Sequence, residues 1–313
     1  MLFLLVLNAC GPTTVVIADE ELPATDSWIP GGDSGDSGDS GDTGDSGEED
    51  TSVEDTGEPE PAEWCFPGGV LLDVSGSFAY GASFDSYDSR AGLYGGGNIG
   101  KAATVMVNGA ENCALTSGAS VAGDAWVGGE PADSYCEEWG ASVSGGVHAA
   151  TAPEAMPAFG APVGLPDSQG DVYIGWAESL EWSEDGKYDS FRLGYGATMT
   201  VWESVTVLAE SFANEGAPMV IAPGSVVNLY VQDDVTLHYG AAMNVEGKPE
   251  QLNIYLLGSG TVSVGSGASI NARIYAPEGT MATSGTISGA WVARTATAQW
   301  GAWTHVDIAA ICP

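Results

Sequence analysis

The sequence predicts an all-β chain wound as a parallel β-helix, a solenoid of stacked coils, preceded by a disordered acidic tether. Three observations carry this reading. First, the last ninety or so residues alternate apolar and polar side chains with the period of strands, as in Leu229-Tyr230-Val231, Val235-Thr236-Leu237, Val262-Ser263-Val264 and residues 252–256 and 270–274. Second, these runs return about every eight to ten positions with glycine between them, in a chain holding 45 glycines. Turns are therefore short, and stacking many equivalent strands buries their shared apolar face. Third, only 7 Lys and Arg stand against 43 Asp and Glu, so the long basic side chains that populate helix surfaces are scarce.

The formal net charge is −36. That field repels phosphate backbones and anionic membrane surfaces, and with no basic stripe to release counterions, nucleic acid is excluded as a partner. Residues 11–61 hold 16 of the acidic residues and none of the basic ones, which separates them from a body spanning residues 62–313. Within that front segment Gly-Asp-Ser triplets recur from Gly32 to Gly47 without an apolar position. Such a stretch cannot bury enough surface to offset its ordering entropy, and it is expected to be a disordered linker. Its period of three does not fit the nine-residue calcium-binding repeat. Its Gly-Asp-Ser-Gly strings occur around the nucleophile of chymotrypsin-like proteases, but here they come without a base.

Residues 1–10 form an apolar run, a small residue and a cleavage point, the pattern of a secretory signal. Leu7-Asn8-Ala9-Cys10 resembles the lipobox of bacterial lipoproteins, which implies lipidation of Cys10 and attachment to a membrane by several acyl chains. Gly11 and Pro12 follow where the family's inner-membrane retention signal would carry acids. The resemblance therefore implies an outer-membrane lipoprotein of the cell envelope, facing the periplasm or the cell surface. The segment lacks the family's basic n-region and has a shorter apolar core. No apolar run in the chain approaches the ~20 residues of a spanning helix.

Cys65, Cys113, Cys136 and Cys312 remain, and an even set in an exported chain reads as disulfides. Four cysteines allow three pairings. The spacing of Cys113 and Cys136, about one coil, favours that pair, with Cys65 and Cys312 either clasped or left as free thiols. A clasp needs Cα atoms within about 7 Å, and the ends of a straight rod lie far apart. Zinc is the competing use, but there is no CxxC pair, and His148, His238 and His305 fit no ligand spacing.

In the body, strand-like runs at residues 103–107, 119–122, 125–128 and 141–143 already show the pattern. Residues 152–171 then carry Pro153, Pro157, Pro162 and Pro166, which cannot donate to a sheet ladder. This interruption is expected to be a surface loop or a crossing between two stacked sections. Farther on, Lys248-Pro249-Glu250-Gln251-Leu252-Asn253-Ile254-Tyr255, Gly258-Ser259-Gly260-Thr261-Val262, Ala272-Arg273-Ile274-Tyr275-Ala276-Pro277 and Gly289-Ala290-Trp291-Val292 resemble a β-helix domain of bacterial surface and pilus-associated proteins of unassigned function. The likeness covers residues 226–307 and extends loosely back to about residue 97. It implies a right-handed parallel β-helix on an exported protein and carries over no catalytic residue. The chain departs from the pattern in lacking Asn-rich turns and in ending with Trp300 and Trp303, placed to cap the last coil.

Chemistry has little to work with. The seven basic residues are too scattered to neutralise an acidic sugar as a lyase must, and Asp233-Asp234, the adjacent carboxylate pair of the last ninety residues, reads as a solvated turn. Ice-binding solenoids present regular ranks of Thr-x-Thr, whereas Thr261, Thr280, Thr286, Thr295 and Thr297 show no common register in the sequence. Ten tryptophans offer ring faces to sugars, with Trp176, Trp182, Trp202, Trp291, Trp300 and Trp303 the candidates for glycan stacking, the last three foremost, against core or cap packing. The expected function is a membrane-anchored, surface-displayed structural or adhesive element without catalytic activity, cofactor or metal. Its partners would be the membrane, through the lipid, and an envelope or extracellular glycan or protein; the alternative is a carbohydrate-binding or polysaccharide-acting β-helix protein.

Overall fold

The structure, a computed structural model, describes residues 69–109, 115–128 and 140–309. Among them are 21 β-strands and two short 3-10 turns, and every ladder between strands is parallel. The fold is a parallel β-solenoid whose coils each contribute to three sheets. One coil is Val227–Val231, Val235–Leu237 and Ala242–Met243. The next, Leu252–Leu256, Thr261–Val264 and the start of Ser269–Thr283, lies on it residue over residue: Leu229 on Ile254, Val235 on Val262, Met243 on Ile270. Coil length varies along the chain, from a step of 19 residues between Asp171 and Ser190 up to 27 between Asp234 and Thr261 and down to 15 between Thr280 and Thr295.

Stacking order departs from chain order. The first coil, Val70–Phe78 and Ser83–Tyr87, rests on the last, with Val70 over Trp291, Phe78 over Ala298 and Phe84 over Thr304. From this seam the chain winds outward through Ala103–Val107 and Gly123–Gly128 to Gly146–Ala150 at one end. Residues 151–170 then carry it to the opposite end, where Asp171–Ile174 and Ser179–Trp182 start a second run that winds back to Trp303–Asp307 at the seam. The placing of Trp300 and Trp303 to cap the last coil at an end is thereby corrected: the last coil is internal to the column. The proline-rich stretch is the crossing. Ten steps of about 4.8 Å separate the two ends, and twenty extended residues reach about 66 Å.

The crossing segment is tied down along its path. Asn108 and the Glu154 backbone exchange two hydrogen bonds of 2.8 Å. Met156 and Phe159 then cover the outer side of one sheet, where Tyr230, Tyr255 and Tyr275 stack in successive coils at 4.5 and 5.0 Å beside Val292 and Leu71. The Phe159 ring meets Tyr255 edge-on at 5.1 Å. Farther along, Gln169 N–H donates to Lys187 C=O at 2.8 Å. Proline suits this strap at positions 153, 157, 162 and 166 because the N–H donors that tie it to the column belong to Glu154 and Gln169.

Stacked aliphatic rows fill the interior, and aromatic rings complete it at two levels. At the seam Phe78 packs on Phe84 at 4.9 Å and on Trp291 at 6.5 Å. At the end that begins with Asp171, Trp182, Tyr188, Phe191 and Phe212 close the column. Asparagines hold several corners. Asn214 Oδ1 accepts from Ala217 N–H at 2.7 Å, and Asn271 Nδ2 donates to Val245 and Gly247 C=O at 3.0 Å each. In the Lys248-Pro249-Glu250-Gln251 motif, Gln251 Oε1 accepts from Lys248 N–H while its Nε2 donates to Ala222 C=O of the coil beneath. That residue stitches the turn to its neighbour. The segment read as a signal, the tether, and all five cysteines, Cys10, Cys65, Cys113, Cys136 and Cys312, lie outside the described residues.

Phe159→Ala removes a half-buried ring from the strap and is expected to lower unfolding free energy by about 1–3 kcal/mol. Chemical denaturation reads this directly, and an unchanged midpoint would mean that the strap adds nothing to the column's stability.

Candidate functional site

In four coils the corner between the second and third sheets is a four-residue turn closed by the N–H of a buried alanine and carrying an aromatic residue: Ala82 to Ala79 C=O, Ala197 to Gly194, Ala241 to His238 and Ala302 to Gln299, at 3.1–3.2 Å. A glycine with positive φ precedes the alanine in each, at Gly81, Gly196, Gly240 and Gly301. The residue before the glycine points outward, and it is aromatic: Tyr80, Tyr195, Tyr239 and Trp300. Trp176, before Ala177 at φ 61, takes the same place in the terminal coil. These five rings are 54–76% exposed and form one row along the edge.

Glycine in the neighbouring coil makes room for the rings. A Cβ at Gly196 would come within 3.3 Å of the Trp176 indole, one at Gly216 within 3.0 Å of the Tyr195 ring, and one at Gly267 within 2.8 Å of the Tyr239 ring. Trp300 instead stacks on Tyr80 of the adjoining coil, centroids 4.9 Å apart and planes within 9°. The aromatic row is interrupted once by Glu215, which pairs with Arg192, between Tyr195 and Tyr239, and again between Tyr239 and Trp300, where the turns carry Gly265-Ser266-Gly267 and Ser284-Gly285. A notch of about 310 Å³ opens there, lined by Ser263, Ala282, Thr297, Gln299 and Trp300 among others.

The sequence candidates separate clearly. Trp300 is 73% exposed at the notch, and Trp303 is 49% exposed on the third sheet beside Thr286 and Ser83. Trp291 is 1% exposed inside the column, a correction that leaves it no ring face for a glycan: its row continues Ile274 and Val70, which face the core. Asp234 is structural, its carboxylate accepting Thr261 N–H at 2.7 Å from the coil above. The threonines do share a register. Thr261, Thr280 and Thr295 form one outward rank continued by Ser75, and Ser263, Ala282, Thr297 and Ser77 form the next. Only Thr286 lies on another sheet. Tyr80, Tyr195 and Tyr239 escaped sequence reasoning, although a signal was present: an aromatic residue followed by glycine recurs at Tyr80-Gly81, Tyr195-Gly196, Tyr239-Gly240 and Trp300-Gly301.

A second assembly sits on the seam, under the loop of residues 88–100. His305 Nδ1 and Asp85 Oδ1 are 2.7 Å apart, Tyr94 OH donates to Asp85 Oδ2 at 2.7 Å, and the Tyr94 ring lies on the imidazole at 3.4 Å. The neighbouring Asp307 is buried and accepts from Ser89 and Ala309 N–H. Burial, together with the hydrogen bond to Asp85 and its charge, pushes the Tyr94 phenol up to about 12. Ser288 lies in register beside His305, but no hydrogen bond joins their side chains. The geometry is that of a clamp that closes loop, first coil and last coil together.

Residues 200–310 match the model of a domain of unknown function, DUF7305. The match takes in the coils from Val205–Asn214 to Trp303–Asp307 and one side of the seam, while the coils of residues 70–150 fall outside it. No curated protein matches the chain, and no solved structure matches it.

Tyr94 has a raised folded pKa, so its contribution is complete below the ordinary tyrosine value near 10 and is lost as pH climbs towards 12. Hydrogen exchange of residues 88–100 is therefore expected to gain protection loss across that interval, beyond the intrinsic rise in rate, and Asp85→Ala should produce the same loosening at neutral pH. A loop equally protected in the variant would contradict the clamp.

Proposed function

We propose that this chain is a non-catalytic binding and display element of the cell envelope. In this reading Cys10 is lipidated and holds the chain in the outer membrane, the acidic segment is a tether, and the solenoid presents its aromatic edge to an envelope or extracellular partner. The observation that carries the proposal is the row of Trp176, Tyr195, Tyr239, Trp300 and Tyr80, five large rings left in water at equivalent turns along one edge of the column. Exposed aromatic surface concentrated on one edge of a folded chain marks a contact site. A charge of −36 directs the choice of partner away from polyanions.

Two measurements test it. Cys10→Ser should shift the full chain from the membrane fraction to the soluble one, and unchanged membrane association would end the anchoring claim. The soluble chain should sediment with isolated envelopes or insoluble polysaccharide, and joint replacement of Trp176, Tyr239 and Trp300 by serine should weaken that binding at least about tenfold; full retention would retire the edge as the contact surface.

The ranks of hydroxyls favour a second reading, adsorption to an ordered lattice such as ice. They repeat about every 4.8 Å between coils and about 6.6 Å along a strand on one sheet. Faceted ice growth with measurable thermal hysteresis, abolished by Thr295→Lys, is its expected outcome, and ice crystals of unaltered shape would exclude it.

A further inference from the structure

We propose that the notch between Tyr239 and Trp300 is a subsite for an uncharged pyranose unit, at the chain end or within a neutral polysaccharide. The inference rests on reading the aromatic edge as the binding surface, and it names the ligand class.

The wall of the notch is an aromatic platform fixed in place. Tyr80, from the coil on the far side, covers one face of the Trp300 indole, so the other face is turned to the notch. A ring backed in this way needs no reordering to receive the C–H face of a sugar, which saves the entropy of fixing a mobile side chain. The floor is made by Ser263, Ala282 and Thr297, which are neighbours in three successive coils, so it runs about 10 Å along the axis. With a volume of about 310 Å³ the notch is at the small end of ligand sites, enough for a mono- or disaccharide unit.

The polar groups point to the same chemistry. No hydrogen bond to a described residue engages the side chains of Ser263, Ser284, Thr297 or Gln299, so each can donate and accept towards a ligand. Hydroxyl and amide groups that both donate and accept match sugar hydroxyls, which do the same. No lining residue is charged. A uronate or phosphate would find no cation here and would enter against the chain's negative field, whereas a purely apolar ligand would strip water from these hydroxyls without replacing its hydrogen bonds.

The test uses the full chain carrying Cys10→Ser, titrated with neutral oligosaccharides (gluco-, xylo-, manno- and galacto-configured) and with oligogalacturonate, and followed by heteronuclear NMR and calorimetry. At least one neutral series should shift the Trp300 indole and the backbone amides of Gly265, Ser284 and Gln299. Trp300→Ala should weaken that binding at least tenfold, and Ala282→Phe, which fills the floor and leaves the indole in place, should do the same. Tyr173→Ala, an exposed ring on the terminal-coil strand and outside the aromatic row, should leave it unchanged, and spectral dispersion reports whether each variant folds. Binding that survives Ala282→Phe and Trp300→Ala, a preference for oligogalacturonate, or no shift at the notch with any neutral series would each overturn the subsite. Should the triple aromatic variant still lose envelope binding while no sugar shifts the notch, the edge stands and the subsite falls; should envelope binding persist in that variant, the edge itself falls.

Discussion

The parallel pairing of the first coil on the last holds this fold together. A solenoid coil cannot bury its own interior; it needs a neighbour on each side. Because the chain starts at the seam and winds outward, the coils of residues 70–150 and those of residues 171–309 are two separate runs, and they share a core only where Val70 meets Trp291 and Phe84 meets Thr304. Phe78, Phe84 and Trp291 fill that level from both runs at once, and the Asp85–His305–Tyr94 clamp closes it from outside. Asp85 and His305 are 220 residues apart in sequence. A seam made of such distant partners forms only after a long loop has closed, which predisposes the chain to slow folding.

The strap follows from the same constraint. With the two runs meeting in the middle, the chain has to travel the length of the column once, on the outside, and its route over the Tyr230–Tyr255–Tyr275 ladder converts an outward apolar stripe into a small second core. The ladder could not stay in water without becoming an exposed patch, and the strap could not hold its path without something apolar to lie on. Prolines, which a strand would reject, are tolerated there because the N–H groups that tie the strap to the column come from Glu154 and Gln169, not from the proline positions.

The edge obeys different rules. Its turns need a residue that reaches outward and a glycine that can take positive φ, and the next coil supplies a glycine against which the ring can lie. Nothing in the core requires those outward residues to be aromatic; Ser117 and Ser266 occupy the same position in other turns. Rings at Tyr80, Tyr195, Tyr239, Trp176 and Trp300 therefore add little to the interior, and their concentration along one edge is what ties this surface to binding. The notch is the place where the row is broken by small residues, so a concave, uncharged floor meets a backed indole.

The strands, their alternation and the glycine-rich turns were legible because a half-buried strand shows its period locally, and the proline-rich crossing was legible because four prolines cannot join a ladder. The threonine ranks were hidden, since coil length changes from 27 residues to 15 and register depends on how each corner bulges. Trp291 was misplaced because Ala290-Trp291-Val292 is apolar throughout and fits the strand with either face inward; its neighbours Ile274 and Val70 decide the phase. The clamp was unreadable for want of proximity, its members standing at positions 85, 94 and 305. The sequence by itself determined that this chain is a column of parallel β-coils with an acidic front segment, because period, glycine spacing and charge are local properties. Only the tertiary structure decided which coil lies on which, and with that which rings face water and where a ligand can sit, because those depend on pairing between residues far apart along the chain.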